Sequence, residues 1–320
     1  MITPLRVLPR IATALAARRP VVALESSVLA QGLPIPANRR AAARMVDAVE
    51  DGGAIAAITA VVEGVPAAGI TEVELERFLR RDGVRKVSAR DLATAMVRRA
   101  DGATTVAATL RIASLAGIEV FATGGIGGVH RQLPGASSTA VDESADLAEL
   151  ARTPMVVVCS GAKSILDLPA TWERLETLGV AVVGYRTSEL PGFFTAETGI
   201  RLTARVESPA EIAEMFRAER AIGRGSALLV VQPPPEGARL SSAQVDAAVE
   251  QALMQAVVDD VSGAAVTPYL LAAVERETDG RSLEVNLALL EANSRLAGEI
   301  AAALGAQAAD PLTRVAAGVP

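Results

Sequence analysis

The sequence contains little cysteine, histidine or aromatic residue, and its charge balance is acidic. Its one cysteine, Cys159, cannot form an internal disulfide, and one histidine leaves no cysteine and histidine cluster to hold a zinc ion. Eight aromatic residues among 320 argue against a surface that stacks nucleic-acid bases. A formal net charge of −6 argues against a protein that binds a phosphate backbone. We therefore expect no nucleic-acid partner.

Long apolar runs are also missing. No run approaches the roughly 20 residues that a membrane-spanning helix needs. Residues 1–20 carry four arginines and lack the apolar stretch of a secretory signal. Half of the residues are hydrophobic and 21% are charged, which is typical of a globular protein, and a single cysteine fits a reducing compartment. The composition predicts a cytoplasmic globular protein with no membrane partner.

Lysine is the most informative shortage. Of the 31 basic residues, 29 are arginine, and the two lysines are Lys86 and Lys163. A lysine amine can lose its proton and act as a nucleophile or form a Schiff base, whereas a guanidinium cannot. The two lysines are therefore candidates for chemistry that arginine cannot perform. The alternative is that two exposed lysines without a chemical role have persisted by chance.

Short, valine-rich apolar runs alternate with amphipathic helical patterns along the chain. Apolar strands separated by helices predict an α/β protein with a largely parallel central sheet flanked by helices (α/β/α) and a helical C-terminal part. The predicted strands are 20–24, 54–62, 119–122, 155–159, 180–185 and 228–231. The predicted helices are 37–51, 71–81, 144–152, 171–178, 209–222, 242–260, 268–278 and 283–304, and a further helix is predicted to begin within 102–106. No break in composition divides the chain, which predicts a single domain over 1–320.

Chemically active segments directly follow three of the predicted strands. Glu25 follows the first strand, a glycine-rich loop over 123–130 follows the strand at 119–122, and Lys163 follows the strand at 155–159. Ligands of parallel sheets bind beyond the carboxyl ends of the strands, so we expect these segments to form one site. The glycine loop matches neither a P-loop nor a dinucleotide fingerprint. It is equally consistent with a tight structural loop.

Two further segments offer places for ions. Asp142 and Asp146 lie four residues apart around a helix start, and carboxylates with water are the usual ligands of a hard divalent cation. The alternative for these acids is an ordinary capped helix start. The helix predicted near Thr104 would present free N–H groups to an anion, and Lys86 could add a positive charge. An ordinary N-cap at Thr104 is the alternative there.

Seven segments of the sequence closely resemble the pseudouridine-5'-phosphate glycosidase family, also called indigoidine-synthase-A-like. They are 22–38, 86–92, 102–109, 118–131, 142–150, 156–180 and 267–272, within a match from about residue 20 to residue 304. The resemblance implies an α/β/α core and the reversible conversion of pseudouridine 5'-phosphate and water to uracil and ribose 5-phosphate. It also implies a divalent metal ion, most often Mn²⁺, and a homotrimer.

The resemblance also implies roles for individual residues. Lys163 matches the lysine that forms a Schiff base with C1' of the ring-opened ribose, Glu25 matches the proton donor, and Asp142 matches the metal ligand. The positions implied to contact substrate, with Thr123 and His130 as secondary candidates, are Lys86, Val106, Ser144, Ala145, Asp146, Asn286, Thr123 and His130. Among these, Lys86 and the Val106 backbone N–H are expected at the phosphate, and Asn286 near the base.

The sequence departs from the family at two places. Ala89 stands where the family often has a second arginine, and the stretch 131–141 is longer than in some relatives. Two other interpretations of the whole chain stay open. One is a different enzyme, either a Schiff-base aldolase or an N-glycosidase that acts on another phosphosugar. The other is a non-catalytic phosphosugar-binding protein.

Overall fold

The computed structural model describes residues 5–132, 142–261 and 266–308. Most of the stretch 131–141, expected to be longer than in some relatives, lies outside the described residues. The strands are β1 Arg6–Val7, β2 Val21–Leu24, β3 Ile55–Val62, β4 Val65–Ala68, β5 Arg85–Val87, β6 Gly102–Thr104, β7 Val120–Ala122, β8 Val129–His130, β9 Val156–Cys159, β10 Leu166–Asp167, β11 Ala181–Tyr185, β12 Arg205–Val206 and β13 Leu228–Val231.

Helices occupy the segments between the strands and the C-terminal part. They are α1 Pro9–Ala16, α2 Ala37–Asp51, α3 Glu72–Arg80, α4 Leu92–Val97, α5 Val106–Ala116, α6 Ala145–Leu150, α7 Leu168–Thr177, α8 Pro209–Ala221, α9 Ser242–Val258, α10 Val266–Glu277 and α11 Arg281–Ala308. A π-helical turn, Val28–Gly32, lies between β2 and α2. The helices α9 to α11 confirm the predicted helical C-terminal part.

The central sheet is largely parallel, as predicted. Its order is β1-β4-β3-β2-β7-β9-β13-β11-β12, and every pair from β3 to β12 along this path is parallel. Antiparallel pairing is confined to the far end of β3, where β4 and β6 join it. All four residues of β2, β9 and β13 are buried, because helices flank the sheet and leave no face of these strands for polar side chains.

Two groups of helices pack on this sheet. The long helix α11 contacts α2 and α8 and lies against β7 and β9, whereas α5 packs with α6 and contacts β2 and β3. Buried hydrophobic residues from Ile11 to Ala301 form the core cluster. Over the described ranges, no helix has the length and apolar character needed to cross a membrane. The single-domain prediction over 1–320 stays a prediction, since it includes residues outside those ranges.

The prediction that a helix begins within 102–106 is wrong for residues 102–104. Residues 102–104 form β6, which pairs with β3 and β5, and α5 begins only at Val106. Thr105 has the extended backbone of an N-cap, and its hydroxyl accepts a hydrogen bond from the Ala108 N–H. Thr104 therefore belongs to the sheet, and this short strand places the start of α5 beside β5.

Candidate active site

Glu25 is buried at the carboxyl end of β2, with 4% of its surface exposed. The Ser27 hydroxyl donates a hydrogen bond of 2.6 Å to Oε2, and the Thr123 hydroxyl donates one of 2.5 Å to Oε1. Ser26, between Glu25 and Ser27, accepts a 2.9 Å hydrogen bond from the Thr104 N–H and so joins this segment to β6. The carboxyl group is thus held at the sheet edge where the sequence predicts a site.

Lys163 lies in the loop after β9, and a parallel bridge joins this loop to the glycine loop. The Ile126 N–H donates to the Gly161 carbonyl and the Lys163 N–H donates to the Ile126 carbonyl, both at 3.1 Å. Gly161 has a φ of +83°, and a Cβ there would collide with the Pro191 carbonyl oxygen. Only glycine fits this backbone, so the tight approach fixes the position of the lysine.

Asn293 of α11 holds the ends of three neighbouring strands together. It is fully buried, and its Nδ2 donates to the Thr123 carbonyl at 2.9 Å and to the Ser160 hydroxyl at 3.2 Å. Its Oδ1 accepts a 2.9 Å hydrogen bond from Gln232, which follows β13. One amide thereby fixes the segments that follow β7, β9 and β13. Asparagine is a scarce residue type in this chain, but the hydrogen-bond partners of Asn293 lie 61 to 170 residues away. No pattern in the sequence predicts these pairings.

The pKa of Lys86 responds to burial and to three other charged groups of the site. It lies in β5 opposite Ala103 of β6, next to the start of α5. The residue is exposed overall, but protein atoms crowd its ammonium group and burial lowers its pKa. The positive charge of Lys163 lowers the pKa further, whereas the negative charges of Glu25 and Asp146 raise it. Lys163, Glu25 and Asp146 are therefore all near enough to act on the charge of Lys86.

The start of α5 keeps one backbone donor free. The Ala107 N–H donates to Asp146 Oδ1 at 2.9 Å, and the Ala108 N–H donates to the Thr105 hydroxyl. The Thr104 and Thr105 N–H groups are also used, by Ser26 and by the Val87 carbonyl. Among the described residues, nothing accepts a hydrogen bond from the Val106 N–H. That N–H, expected at the phosphate, is the group that this helix start can offer to an anion.

The segment Ser144, Ala145 and Asp146 starts the short helix α6 and is fastened to the glycine loop. Ser144 caps the helix, with its hydroxyl accepting a hydrogen bond from the Asp146 N–H at 3.2 Å. Asp146 Oδ2 accepts a 2.8 Å hydrogen bond from the Gly127 N–H, and a Cβ at Gly127 would strike the Ser144 hydroxyl. Both Asp146 oxygens thus brace backbone around the site. The predicted substrate contacts of this segment stay predictions.

Asp142 and His130 form a polar corner beside the glycine loop. The His130 Nδ1 lies 2.9 Å from Asp142 Oδ2, and its Nε2 lies 3.3 Å from the Thr267 hydroxyl. The Asp142 side chain is 74% exposed, which leaves room for water around its carboxylate. The described ranges contain no group of three acidic, histidine or cysteine side chains placed to hold a metal ion. Asp142 could therefore contribute only one carboxylate, with water completing the shell, and its role as a metal ligand stays a prediction.

Asn286 lies on α11 and lines a cavity of about 310 Å³. Its Oδ1 is buried and has no hydrogen-bond partner among the described residues, so this amide oxygen is available to a ligand. Gln31, Arg81 and Phe194 also line the cavity. The structure thus places Glu25, Lys163 and Asp146 within electrostatic range of Lys86, and it places Asn286 in the lining of this cavity. Its predicted position near the base stays a prediction.

Cys159 ends β9 four residues before Lys163 and is fully buried. Burial raises the pKa of its thiol to about 12, although the charge of Lys163 opposes this. A thiol of that pKa carries almost no thiolate near neutral pH, so it is not the nucleophile of this site.

Ser27 contacts Glu25, but the sequence does not predict it as a site residue. Its position two residues after Glu25 is the one feature of the sequence that could have pointed to this role.

The chain is similar to known proteins over most of its length. The family model described as "Indigoidine synthase A like protein" matches residues 10–303. Pseudouridine-5'-phosphate glycosidase of Gemmatimonas aurantiaca is 63% identical over 284 residues, which cover 89% of this chain and 91% of that protein. The same enzyme of Herpetosiphon aurantiacus is 49% identical, over 94% of this chain and 98% of that protein.

Two solved structures share the fold. The prealnumycin C-glycosynthase AlnA, in complex with ribulose 5-phosphate, superposes with a TM-score of 0.86 at 40% identity, over 95% of this chain and 98% of that one. An indigoidine synthase A (IdgA)-like protein of Thermotoga maritima superposes with a TM-score of 0.84 at 36% identity, over 94% of this chain and 96% of that one. Both similarities extend over nearly the whole chain.

Proposed function

The chain belongs to the indigoidine synthase A-like family, and from this premise we propose that it is a pseudouridine-5'-phosphate glycosidase. It converts pseudouridine 5'-phosphate and water reversibly to uracil and ribose 5-phosphate. The observation in this chain that carries the proposal is that Glu25 and Lys163 follow the parallel strands β2 and β9 at the same edge of the sheet, with Lys86 within range of both charges. The phosphosugar in the C-glycosynthase structure supports the same class of substrate.

The bond to be broken joins C1' of ribose to C5 of uracil, and carbon is a poor leaving group. Ordinary glycosidases use two carboxylates and expel an oxygen. We propose that the neutral amine of Lys163 instead bonds to C1' as the C1'–O4' bond breaks, and that O4' takes up the proton that the nitrogen loses. The nitrogen lone pair then forms an iminium as the C1'–C5 bond breaks, and its electrons take a proton at C5. Water hydrolyses the iminium, which releases ribose 5-phosphate and restores the amine.

Glu25 is proposed as the proton donor to C5. Its burial excludes bulk water from the carboxyl group, and its two hydroxyl partners hold it in place at the edge that carries Lys163. General acid catalysis requires this group within hydrogen-bond reach of the carbon or its relay. Lys163 must be neutral to attack, because only the free amine carries a lone pair.

Lys86 and the Val106 N–H are proposed to bind the phosphate. Replacing Lys86 with alanine should raise KM about 10- to 100-fold with a smaller effect on kcat, because a remote phosphate contact acts through binding. The lowered pKa of Lys86 predicts that KM of the wild type rises with pH before the ordinary lysine value of 10.5 is reached. Lys86→Arg stays charged, so its KM should remain flat over the same range. Initial-rate kinetics at several pH values test this, and equal cleavage of unphosphorylated pseudouridine would contradict it.

Asp142 is proposed to hold a divalent cation, most often Mn²⁺ in this family, with water completing its shell. Such an ion would supply positive charge to oxygens of the substrate. Exhaustive chelation should abolish uracil release, and added Mn²⁺ should restore it. Asp142→Asn should raise the Mn²⁺ concentration needed for half-maximal activity. Mn²⁺ is paramagnetic, so its binding to the wild type and to this variant can also be measured directly, without turnover. Full activity after chelation would remove the metal from the proposal.

Uracil release from pseudouridine 5'-phosphate by the purified protein tests the function itself. Uridine 5'-phosphate serves as the matched substrate, because it carries the same phosphosugar on nitrogen. An N-glycosidase would prefer uridine 5'-phosphate, and a Schiff-base aldolase would split a sugar carbon chain and leave pseudouridine 5'-phosphate intact. A protein that only binds phosphosugars would release nothing and would gain no covalent adduct with ribose 5-phosphate and borohydride.

The oligomeric state and the cellular location are also part of the proposal. The family resemblance implies a homotrimer, which light scattering coupled to size-exclusion chromatography measures. A cytoplasmic location agrees with the single cysteine, which is buried and unpaired and therefore suits a reducing compartment.

A further inference from the structure

The Glu25 carboxyl group is held by neutral hydroxyls alone. Ser27 donates to one oxygen and Thr123 to the other, and both side chains are at least nine-tenths buried. Within the described part of the chain, no arginine or lysine forms an ion pair with Glu25. A buried carboxylate without a salt bridge depends on such donors to remain charged. These two hydroxyls therefore determine how the carboxyl group is oriented and stabilised.

Ser27 stands at the start of the π-helical turn Val28–Gly32. Its backbone is already helical, with φ −68° and ψ −32°, and its side chain makes no capping hydrogen bond. The hydroxyl donates to Glu25 Oε2 at 2.6 Å. The helical backbone of Ser27 therefore fixes the position of a side chain whose hydrogen bond goes to the carboxylate.

Thr123 is held rigidly on the opposite side. Its N–H donates to the Val158 carbonyl at 3.0 Å, and its carbonyl accepts from Asn293 at 2.9 Å. Both backbone groups are held between β9 and α11, and the buried side chain bonds to Glu25, while its hydroxyl hydrogen can still rotate. A hydroxyl can donate to a charged carboxylate, or turn and accept from a protonated one, without moving its oxygen.

We propose that Ser27 and Thr123 are positioning residues that keep the Glu25 carboxyl in place while it loses and regains its proton. The inference rests on the proposed function. When Glu25 is charged, both hydroxyls donate to it; when Glu25 carries the proton, one hydroxyl reverses and accepts. The carboxyl group thus changes charge without changing orientation. The charges of Lys86 and Lys163 in the same site act alongside these hydroxyls, and neither lysine replaces a hydroxyl partner.

Kinetics of Thr123→Val and Ser27→Ala, with Thr123→Ser as the conservative variant, test the inference. Thr123→Val keeps the shape and removes the hydroxyl, and we expect kcat to fall about 10- to 100-fold with KM nearly unchanged, as for a lost hydrogen bond to a charged group. Thr123→Ser should recover most of the loss. Ser27→Ala should lower kcat by a similar factor. Proton transfer becomes slower in these variants, so the solvent deuterium isotope effect on kcat should rise above that of the wild type.

Thr153→Val is the matched control. The buried Thr153 hydroxyl donates to Glu149 at 3.3 Å, so this variant removes the same kind of hydrogen bond away from the lysines. Its kcat and isotope effect should equal those of the wild type. If Thr123→Val does not fold, Ser27→Ala decides the matter alone. If the wild type is active and both Ser27→Ala and Thr123→Val have its kcat, this inference alone is overturned. If the wild type is inactive, the proposed function is overturned.

Discussion

Replacing Lys163 with arginine should abolish uracil release as completely as replacing it with alanine, by at least about 10⁴-fold. Arginine keeps the positive charge and most of the length, but its guanidinium does not deprotonate near neutral pH and cannot form the bond to C1'. In a chain with 29 arginines, an anion-binding site would accept arginine readily. The matched control is Lys86→Arg, which makes the same exchange at the only other lysine and should retain substantial turnover.

Covalent trapping gives the same prediction a second readout. Wild type incubated with ribose 5-phosphate and borohydride should gain one adduct by mass spectrometry, located at Lys163. Lys86→Arg should gain it too, whereas Lys163→Arg and Lys163→Ala should not. Robust turnover by Lys163→Arg would end the covalent mechanism, whatever the sequence similarity suggests.

Glu25→Gln should lower kcat by about 10² to 10⁴-fold, the usual contribution of a positioned proton donor. Glutamine keeps the shape of the side chain, and one of the two hydroxyls can turn to accept from the new amide N–H. The fold should therefore survive, which thermal unfolding of the variant checks. Ribose 5-phosphate opens to its aldehyde in solution, so borohydride should still trap a slow adduct at Lys163.

This combination separates the two proposed roles. A variant that is trapped but does not turn over has kept its nucleophile and lost its proton donor. Turnover of Glu25→Gln close to that of the wild type would remove Glu25 from the proton transfer. In that event Ser27 and Thr123 would hold a carboxylate of purely structural use, and the further inference would fall with it.

The fold was predictable where strands are long, apolar and buried on both faces. The runs at β2, β9 and β13 contain almost nothing except valine, leucine and alanine, which is the pattern of parallel strands beneath helices. The three-residue strands β5 and β6 carry no such pattern. Gly102–Thr104 becomes a strand because β3 and β5 accept it as a partner, and this depends on tertiary contacts that no short window of sequence contains.

The site was predictable to the extent that its residues follow strands. Glu25 and Lys163 each stand just beyond an apolar run, and parallel strands bring such positions to one edge. The supporting contacts were not predictable. The Thr123 hydroxyl reaches Glu25 across 98 residues of chain, and Asp146 reaches the start of α5 across 39. Hydrogen bonds over such distances depend on the finished packing of loops, and single residue types do not reveal them.

The clamp that Asn293 forms has a consequence for the order in which the protein is synthesised. Ribosomes make the chain from its N-terminus, so Glu25, Lys86 and Lys163 all emerge long before α11. Before that helix docks, the Asn293 hydrogen bonds to Thr123, Ser160 and Gln232 are missing, and only backbone hydrogen bonds such as Ser160 N–H to Gly124 and Gln232 N–H to Cys159 join the three segments. The segments that carry Glu25 and Lys163 can therefore pair along the sheet before α11 is made, and the cross-links from Asn293 are added only after translation has passed that residue.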